Sequence, residues 1–420
     1  MDVNINSARL SAELESLATF SSVPAPAVTR VVFSEEDLRA RAYVKRLCLE
    51  AGLSIREDSV GNTFARWTGS DPQLPAVATG SHTDAIPHAG RYDGTVGVLG
   101  GLEAIRALRY SGFRPRRSIE LVLFTAEEPT RFGIGCLGSR ILCGSLDGAA
   151  DEALRDSQGQ RLREWRTAAG YRGQLSTARL DWGHYAAFLE LHIEQGRLLE
   201  QEGVALGLVT AIAAPASLRI ELEGDGGHAG ALLMPDRHDA FLAASEIALA
   251  LEAAVKATGA IDTVGTTGVC EVFPCAINSV PSRVKLEVDV RDIDEARRDG
   301  VLAALSTACE RVARQRGVRV RTQLLNSDPP AHCSPELLAA LASACDQRGI
   351  AHRRMVSRAY HDSLFMARIA PVAMLFIPCR NGVSHRPDEY ASPEAIATGV
   401  AVLADGLSAL ADSMYTESTG

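Results

Sequence analysis

The side chains best suited to chemistry in this sequence are three histidines and two carboxylates, each able to bind a metal ion. They are His82, Asp93, Glu128, His192 and His385. Each stands at the edge of an apolar run that is typical of a strand or a helix. A further carboxylate, Glu127, directly precedes Glu128. Ligands fixed on rigid elements, with one carboxylate left to move a proton, indicate a two-metal hydrolase.

Taken singly, these residues have simpler explanations. A lone histidine after a strand is more often a loop or core side chain, and adjacent glutamates are usually solvated. Asp93 followed by Gly94 is more often a turn or a helix cap, because aspartate accepts from backbone N–H groups and glycine tolerates positive φ. The shared placement at element ends, with imidazole and oxygen donors but no thiolate, favours metal binding. A carboxylate such as Asp93 can bridge two divalent ions.

The elements that must position these residues follow a strand, loop and helix pattern. Strand-like runs at 75–79 and 119–125 precede His82 and Glu127, and a helical pattern of small residues covers 94–107. Near-continuous apolar strands interleaved with helices predict an α/β fold with a mostly parallel sheet flanked by helices. Ligands gather at the carboxyl ends of such strands, where both motifs lie.

A second pattern begins at about residue 213. Residues 217–223 and 285–289 alternate apolar and polar, as half-buried antiparallel strands do, while 236–256 and 293–315 have helical spacing. These segments predict a smaller α+β domain of antiparallel sheet and two helices, inserted into the first. At 420 residues, two domains are expected. The predicted division is a discontinuous catalytic domain of residues 1–212 and 331–420 and an inserted domain of residues 213–330.

Composition excludes several classes of function. The net charge of -9 and the pI near 5.7 argue against nucleic-acid or anionic-membrane binding. The N-terminus does not resemble a secretion signal, and no later run reaches about 18 uncharged apolar residues, so we expect a soluble, cytoplasmic protein. Nine cysteines without a CxxC pair predict free thiols in core and loop positions.

The longer motifs resemble the hydantoinase/carbamoylase branch of the M20 metallopeptidase superfamily, which hydrolyses ureido and carbamoyl amides. The motifs that carry this resemblance are GSHTDAIPHAGRYDG, AEEPTRFGIGCLGSR, LHIEQG, GHAGALLMPDRHDA, AYHDSLF and NGVSHRPDEY. Within the branch, AEEPTRFGIGCLGSR, GGHAGALLMPDR and SRAYHDSLFMARI are most similar to ureidoglycolate amidohydrolases. The chain differs from allantoate and N-carbamoyl-amino-acid hydrolases at 129–130, 231–233 and 358–360, and these differences bear on the substrate.

The resemblance implies a role for each ligand. It implies one ion held by His82, Asp93 and His192, and a second held by Asp93, Glu128 and His385. Glu127 becomes the general base. Manganese is the ion that the resemblance implies, while Zn²⁺, Co²⁺ and Ni²⁺ suit the same ligands.

The resemblance also implies residues that recognise the substrate. His228, in a glycine-rich turn, is implied to donate to the developing oxyanion, often in the active site of the other subunit. Asn278 and Arg291 match substrate-binding positions, and Arg291 can pair with a carboxylate in bidentate fashion, whereas its simpler explanation is a surface arginine at a strand end. Gln195 is expected to bind the ureido or carboxylate end, and His361 to support the pocket or a ligand.

These inferences predict a metal-dependent amidohydrolase that converts ureidoglycolate to glyoxylate, ammonia and carbon dioxide. A homodimer through the inserted domain, acting there as lid and dimerisation domain, is implied. Allantoate, ureidoglycine and N-carbamoyl-L-amino acids remain alternative substrates, and a dinuclear aminopeptidase or deacylase is a weaker alternative. A non-catalytic binding protein is disfavoured because all the ligands and Glu127 are present. Residues 361–362 have a second explanation as a helix cap, with Asp362 accepting a backbone donor.

Overall fold

The computed structural model describes residues 3–412, and the chain divides into two compact units. The first, called here the large unit, comprises the chain as far as Thr210 and from His332 onward. The second, called the inserted unit, is Ala211–Ala331.

The described residues contain twelve α-helices and seventeen strands. The helices are α1 Ser7–Ala18, α2 Glu35–Glu50, α3 Thr95–Tyr110, α4 Leu137–Leu142, α5 Ala150–Ala153, α6 Leu162–Ala168, α7 Leu198–Glu202, α8 Ala240–Ala257, α9 Glu295–Arg316, α10 Pro335–Gln347, α11 Ser363–Met366 and α12 Pro393–Asp412. The strands are β1 Val28–Arg30, β2 Ser54–Glu57, β3 Thr63–Trp67, β4 Ala76–His82, β5 Ala85–Ala89, β6 Ile119–Phe124, β7 Tyr185–Ile193, β8 Leu206–Ile212, β9 Ala214–Glu223, β10 Gly227–His228, β11 Val264–Phe273, β12 Ser279–Val280, β13 Arg283–Asp292, β14 Arg319–Ser327, β15 Ala331–His332, β16 His352–Ser357 and β17 Val372–Ile377.

The large unit is built on a nine-stranded mixed sheet in the order β15-β8-β17-β7-β4-β6-β3-β2, with β16 paired to β8. The central strands β17, β7, β4 and β6 are parallel, whereas β8, β3 and β2 join them in antiparallel pairs. The predicted α/β fold is confirmed, with parallel pairing concentrated in the centre of the sheet. The connection between β2 and β3 is short, and only antiparallel neighbours can be joined in that way.

The core of the large unit lies around these central strands. Every residue of β4, β6 and β17 is buried, which fits the near-continuous apolar runs of the sequence. Helices α3 and α12 pack against each other and on the sheet. Helix α12 is long and apolar enough to cross a membrane, with a mean hydropathy of 1.4 over its best window, but 61% of that window is buried. This burial is the pattern of a core helix.

Helix α2 supports the strand that carries the predicted base. It begins after Ser34, whose hydroxyl caps it by accepting from the backbone N–H of Asp37. Asp37 and Arg41 then form a buried ion pair with an N···O distance of 3.1 Å. Arg41 also donates to the carbonyl oxygen of Phe124, the last residue of β6, at 2.9 Å. The buried guanidinium of Arg41 therefore anchors the carboxyl end of β6.

The inserted unit is a four-stranded antiparallel sheet in the order β11-β13-β9-β14, with helices α8 and α9 packed on it. Alternate residues of β13 are buried in the core beneath the helices. Two of the other residues of β13 form ion pairs with neighbouring strands, Glu287 with Arg219 and Lys285 with Glu271, each at 2.7 Å. The predicted antiparallel sheet with two helices is confirmed.

Candidate metal centre

The first ligand cluster lies at the carboxyl ends of β4 and β7. His82 ends β4 and His192 lies one residue before the end of β7, and the two strands are parallel neighbours. Nε2 of His192 lies 3.1 Å from Oδ1 of Asp93, and Nε2 of His82 lies 3.7 Å from the same oxygen. Three ligand atoms of these buried residues lie within 4.8 Å of one another, which suits a single metal ion.

Backbone contacts orient both histidine rings. Nδ1 of His82 lies 3.1 Å from the carbonyl oxygen of Asp84, and Nδ1 of His192 lies 2.9 Å from that of Ile193. Because a carbonyl oxygen only accepts, each Nδ1 carries the proton and donates it. The backbone N–H of Gly94 donates to Nε2 of His192 at 3.2 Å, which agrees with an unprotonated Nε2. Both rings therefore present Nε2 as the metal-binding atom.

The second cluster shares Asp93 with the first. Nε2 of His385 lies 3.1 Å from Oδ2 of Asp93 and 3.3 Å from Oε1 of Glu128. The ligand atoms of these three residues also lie within 4.8 Å of one another. Asp93 thus turns one oxygen to each cluster, as a bridging carboxylate must. Imidazole and carboxylate donors in this arrangement fit a pair of divalent ions.

The residue after Asp93 must be glycine for this site to close. Gly94 has φ +66°, and a Cβ placed there would lie 2.4 Å from Nε2 of His82. A larger residue would therefore displace a ligand. The Asp-Gly pair serves close approach between the loop and the imidazole as well as the turn.

A carboxylate that the sequence reasoning did not single out holds the two ligand loops together. Glu389 is buried and accepts from the backbone N–H groups of Tyr92 and Asp93 at 2.8 and 3.1 Å. Its other oxygen accepts from the Ser384 hydroxyl at 2.8 Å. Glu389 therefore connects the Asp93 loop to the residue before His385. Glu389 could have been found from the sequence because it lies in the motif NGVSHRPDEY, which also contains His385.

The neighbouring carboxylates Glu127 and Glu128 point to different partners. Glu127 follows β6, and its Oε2 lies 3.7 Å from Nε2 of His82, whereas Glu128 reaches the second cluster. Both backbone N–H groups donate to the buried carboxylate of Asp84, at 3.3 and 3.0 Å. Asp84, two residues after His82, also went unrecognised in the sequence. Asp84 therefore connects the loop that carries Glu127 to His82 of the first cluster.

Buried charges shift the acidity of the site. Burial opposes ionisation of Asp93, but the adjacent imidazoles of His192 and His385 outweigh it and hold the pKa of Asp93 well below its ordinary value. Hydrogen bonds to Asp93 and Glu128 raise the pKa of His385 to about 11. Burial raises the pKa of Glu127 well above its ordinary value, opposed by His82 and reinforced by Glu128. A carboxyl group with a raised pKa is suited to taking up a proton.

Gln195 lies beside the bridging carboxylate. Its Nε2 donates to Oδ2 of Asp93 at 2.8 Å and to the Ser384 hydroxyl at 3.3 Å. Its amide oxygen is buried without a hydrogen-bond partner among the described residues. The structure therefore places Gln195 at the ligands, with one acceptor left over for a bound molecule.

His361 is also brought to the first cluster, where it lies beside His192. Its ring packs edge-on against that of His192 with 4.6 Å between centroids, and its Nε2 lies 2.9 Å from the Ser357 hydroxyl. Burial, with the neighbouring His192, lowers the pKa of His361 well below its ordinary value. A neutral ring that supports a ligand fits this environment better than direct contact with substrate.

The explanation of Asp362 as a helix cap is wrong. It precedes α11, but its side chain makes no capping hydrogen bond. Its Oδ1 accepts instead from the Ser139 hydroxyl at 2.5 Å, so it connects α11 to α4. Buried Glu190 accepts from the hydroxyls of Ser81 and Ser363 at 2.8 and 2.5 Å and was not recognised in the sequence. These carboxylates fix the elements behind the ligands.

The three remaining predicted residues belong to the inserted unit. His228 on β10 is opposite Ser279 on β12, and the backbone N–H after His228 donates to the carbonyl oxygen of Asn278 at 2.9 Å. The structure thus brings His228 and Asn278 together on a small exposed two-stranded sheet. Arg291 lies elsewhere, on β13, where its Nε donates to Asp289 at 2.7 Å. None of the three belongs to a ligand cluster of the large unit.

Half of the eight described non-glycine residues with positive φ lie in the loops of the site. Ala126, Cys136, Gln195 and His385 have φ between 55° and 58°, although none is glycine. Such conformations persist where the surrounding structure imposes them, and they occur often at functional sites. All four lie within or next to the segments that carry the ligands and Glu127.

A parallel-centred α/β sheet with histidine and carboxylate ligands at its strand ends defines the class of metal-dependent α/β hydrolases. Residues 78–409 match the peptidase family M20/M25/M40. The chain belongs to this metal-dependent family.

Similar proteins narrow this assignment. A ureidoglycolate hydrolase of Arabidopsis thaliana is 53% identical over 410 residues, covering 96% of this chain and 86% of that protein. An N-carbamoyl-L-amino acid amidohydrolase of Geobacillus stearothermophilus is 38% identical over 400 residues, covering 95% and 97% of the two chains. A solved structure of AtUAH in complex with glyoxylate aligns with a TM-score of 0.89 at 52% identity, covering 97% and 98%.

Proposed function

We propose that this protein is a ureidoglycolate amidohydrolase, which cleaves a carbon–nitrogen bond of a ureido carboxylate. The observation that carries the reaction class is Asp93 shared by two ligand clusters, with Glu127 buried beside the first. The similarity to the Arabidopsis ureidoglycolate hydrolase supports the choice of substrate.

We further propose two divalent ions per subunit, with manganese as the native metal. His82, Asp93 and His192 would hold one ion, and Asp93, Glu128 and His385 the other. Bound ions lower the pKa of water and polarise a carbonyl oxygen, which a urea carbonyl needs because two nitrogens donate into it.

Glu127 moves the protons of the reaction. Its Oε2 faces His82 in a buried environment that favours proton uptake. In the proposed sequence Glu127 takes the proton of the attacking water and delivers it to the departing ammonia. The backbone bonds to Asp84 keep the carboxylate in place through both transfers.

Four residues recognise the substrate in this proposal. Gln195 offers its unpaired amide oxygen to a ureido N–H group. Arg291 and Asn278 bind the carboxylate, and His228 donates to the oxyanion of the tetrahedral intermediate. For Arg291 this role requires its guanidinium to share or leave Asp289. The imidazole of His228 is exposed, and its Nδ1 accepts from the N–H of Gly230, so Nε2 is the nitrogen that donates.

The products follow from the chemistry of the first cleavage. Hydrolysis of the terminal amide releases ammonia and leaves an N-carboxylated hydroxyglycine. Loss of carbon dioxide yields hydroxyglycine, which collapses to glyoxylate and a second ammonia. One water and one ureidoglycolate therefore give one glyoxylate, two ammonia and one carbon dioxide.

We also infer a cytoplasmic homodimer that associates through the inserted unit. Helix α8 exposes Phe241, Leu242 and Leu249, and strand β11 is an edge of its sheet. Exposed apolar side chains beside an unpaired strand edge favour association with another chain. A second copy of this chain is the proposed partner, and mass measurement in solution tests it.

The test of the substrate is a panel assay on the manganese-loaded protein. Ureidoglycolate, allantoate, ureidoglycine, N-carbamoyl-L-amino acids, an N-acyl amino acid and a dipeptide are compared by kcat/KM from ammonia or amine release. We expect ureidoglycolate to exceed every other substrate by about 100-fold or more, since a misfitted buried polar group costs several kcal/mol. Two ammonia per glyoxylate should be formed.

Other outcomes of the panel select other functions. Preference for N-carbamoyl-L-amino acids would make the protein resemble its Geobacillus relative in activity as well as sequence. Release of amine from the acyl amino acid or dipeptide alone would replace the proposal with a deacylase or peptidase. A loaded protein inactive on the whole panel would contradict the proposed function.

A further inference from the structure

Cys136 is a buried thiol that the proposed reaction does not use. It lies in the segment between β6 and α4, immediately before α4, and no part of it is exposed. Its backbone N–H donates to the carbonyl oxygen of Glu127 at 2.7 Å. The next N–H along the chain, that of Leu137, donates to the carbonyl oxygen of Ala126 at 2.8 Å. These bonds bring the cysteine directly beside the proposed base.

The backbone of Cys136 favours a different residue. Its φ of 56° and ψ of 35° lie in the left-handed region, where a side chain is strained and glycine is favoured. The same segment contains Gly133, which has φ +68° and open space around it. If only backbone conformation mattered at position 136, glycine would serve there as well. A thiol in this conformation therefore indicates that its side chain has a role.

That side chain contacts the base. Sγ of Cys136 lies 3.4 Å from Oε1 of Glu127, within the range of a hydrogen bond from sulfur. The other oxygen, Oε2, lies 3.7 Å from Nε2 of His82. The thiol thus contacts one carboxylate oxygen, while the other lies on the side of His82.

The thiol is the donor in this contact. Burial, reinforced by the charge of Glu127, raises the pKa of Cys136 well above its ordinary value. The sulfur therefore keeps its proton at neutral pH, so the S–H group is the donor and the carboxylate oxygen is the acceptor. The S–H group points its hydrogen at Oε1.

We propose that Cys136 is a positioning residue for the reaction, because its thiol holds Oε1 of Glu127 and thereby directs Oε2 toward the first ligand cluster. This inference rests on the proposed function, in which Glu127 is the base. A thiol suits the position by its reach. The C–S bond is longer than the C–O bond of serine, so a hydroxyl on the same backbone would fall short of Oε1.

Three substitutions separate the side chain from the backbone. In Cys136→Ala the strain remains and the donor is lost, whereas in Cys136→Gly both are removed. We expect kcat on ureidoglycolate to fall about tenfold in both, the effect of one lost hydrogen bond in the transition state, with KM and metal content unchanged. Cys136→Ser should lie between these variants and the wild type. Cys143→Ala, which removes the thiol at the other end of α4, is the matched control and should leave kcat unchanged.

The contact also has a spectroscopic signature. The S–H stretching band lies in an infrared window free of other protein bands, and the difference between wild type and Cys136→Ala identifies the band of this thiol. In Glu127→Gln the acceptor becomes a neutral amide, so the band should move to higher wavenumber. That shift requires no turnover, so it can be measured whether or not the substrate has been assigned correctly.

The outcomes distinguish this inference from the proposed function. Full activity of both Cys136→Ala and Cys136→Gly, or an S–H band that Glu127→Gln leaves in place, would overturn the positioning role. A loss of activity that follows metal content or melting temperature, and that glycine restores by relieving strain, would also overturn it. An active Glu127→Gln enzyme would instead refute Glu127 as the base, whatever the thiol does.

Discussion

The large unit and the inserted unit hold their predicted functional residues in contrasting ways. Four of the ligands are buried, and Asp93 and Glu128 are held through backbone bonds to Glu389 and Asp84. In the inserted unit, His228 and Asn278 are exposed on a two-stranded sheet. The ligand site is thus determined by contacts within its own unit, whereas the proposed substrate-recognition residues His228 and Asn278 lie at the surface of theirs.

This contrast indicates how the steps of the proposed reaction are divided between the two units. Metal binding and proton transfer demand groups held closely in position, so they are built on the ends of buried parallel strands. Recognition of one carboxylate demands a few donors, which Asn278 beside the small sheet and Arg291 on β13 would supply. Substitutions should therefore affect the reaction as a whole in the large unit and the substrate in the inserted unit.

The largest expected effect is loss of the bridging ligand. Asp93→Ala should lose both ions, because each cluster takes one oxygen of this carboxylate. His385→Ala should lose the second ion and keep the first. Metal content measured after manganese loading and desalting, together with turnover, checks this; we expect turnover in Asp93→Ala to fall by about 1000-fold or more. Equal metal loss in the two variants would refute a shared ligand.

A smaller and more selective effect is expected at Arg291. Arg291→Ala should raise KM for ureidoglycolate by about 10- to 100-fold, the effect of losing hydrogen bonds to a charged group, with kcat changed much less. The matched control is Arg219→Ala, which removes another arginine of the same sheet, paired with Glu287. Similar kinetics for the two variants would remove Arg291 from the binding site and weaken the contrast between the units.

A third effect concerns stability and its dependence on pH, rather than turnover, in the metal-free protein. Burial raises the pKa of Asp362 from 3.8 to about 8. Between these values the folded carboxyl is protonated and the unfolded one is ionised, so its contribution to the free energy of unfolding falls as pH rises from about 4 to 8. Asp362→Asn should remove that decline in chelator-treated protein, as measured by urea unfolding across this range.

A control from the inserted unit sharpens the pH prediction. Glu287 is partly exposed and paired with Arg219, so Glu287→Gln should change the free energy of unfolding by about 0.5 kcal/mol or less. Its pH profile between 4 and 8 should follow that of the wild type. A profile for Asp362→Asn that declines as steeply as the wild type would contradict a buried, protonated Asp362.

Sequence reasoning reached the ligands because parallel strand ends meet at one edge. His82 and Glu127 follow adjacent strands, so their proximity follows from local patterns once those strands are assigned. Glu389 was missed because it contacts the Asp93 loop from 296 positions away, through a loop without periodicity. The thiol contact of Cys136 depends on the left-handed backbone conformation of that residue, which neither composition nor residue spacing predicts. The sequence also left Asp362 with two explanations, as a helix cap or as support for the site. Its hydrogen bond from Ser139 of α4 favours the second.

Glu127→Gln tests the central claim most directly. The variant removes the base and keeps all five ligands, so one sample, loaded with manganese, can be measured for metal content and for ammonia release from ureidoglycolate. We predict wild-type metal content and a fall in kcat of about 10²- to 10⁴-fold, the usual contribution of a general base. Metal-loaded Glu127→Gln protein that releases ammonia at the wild-type rate would contradict the account.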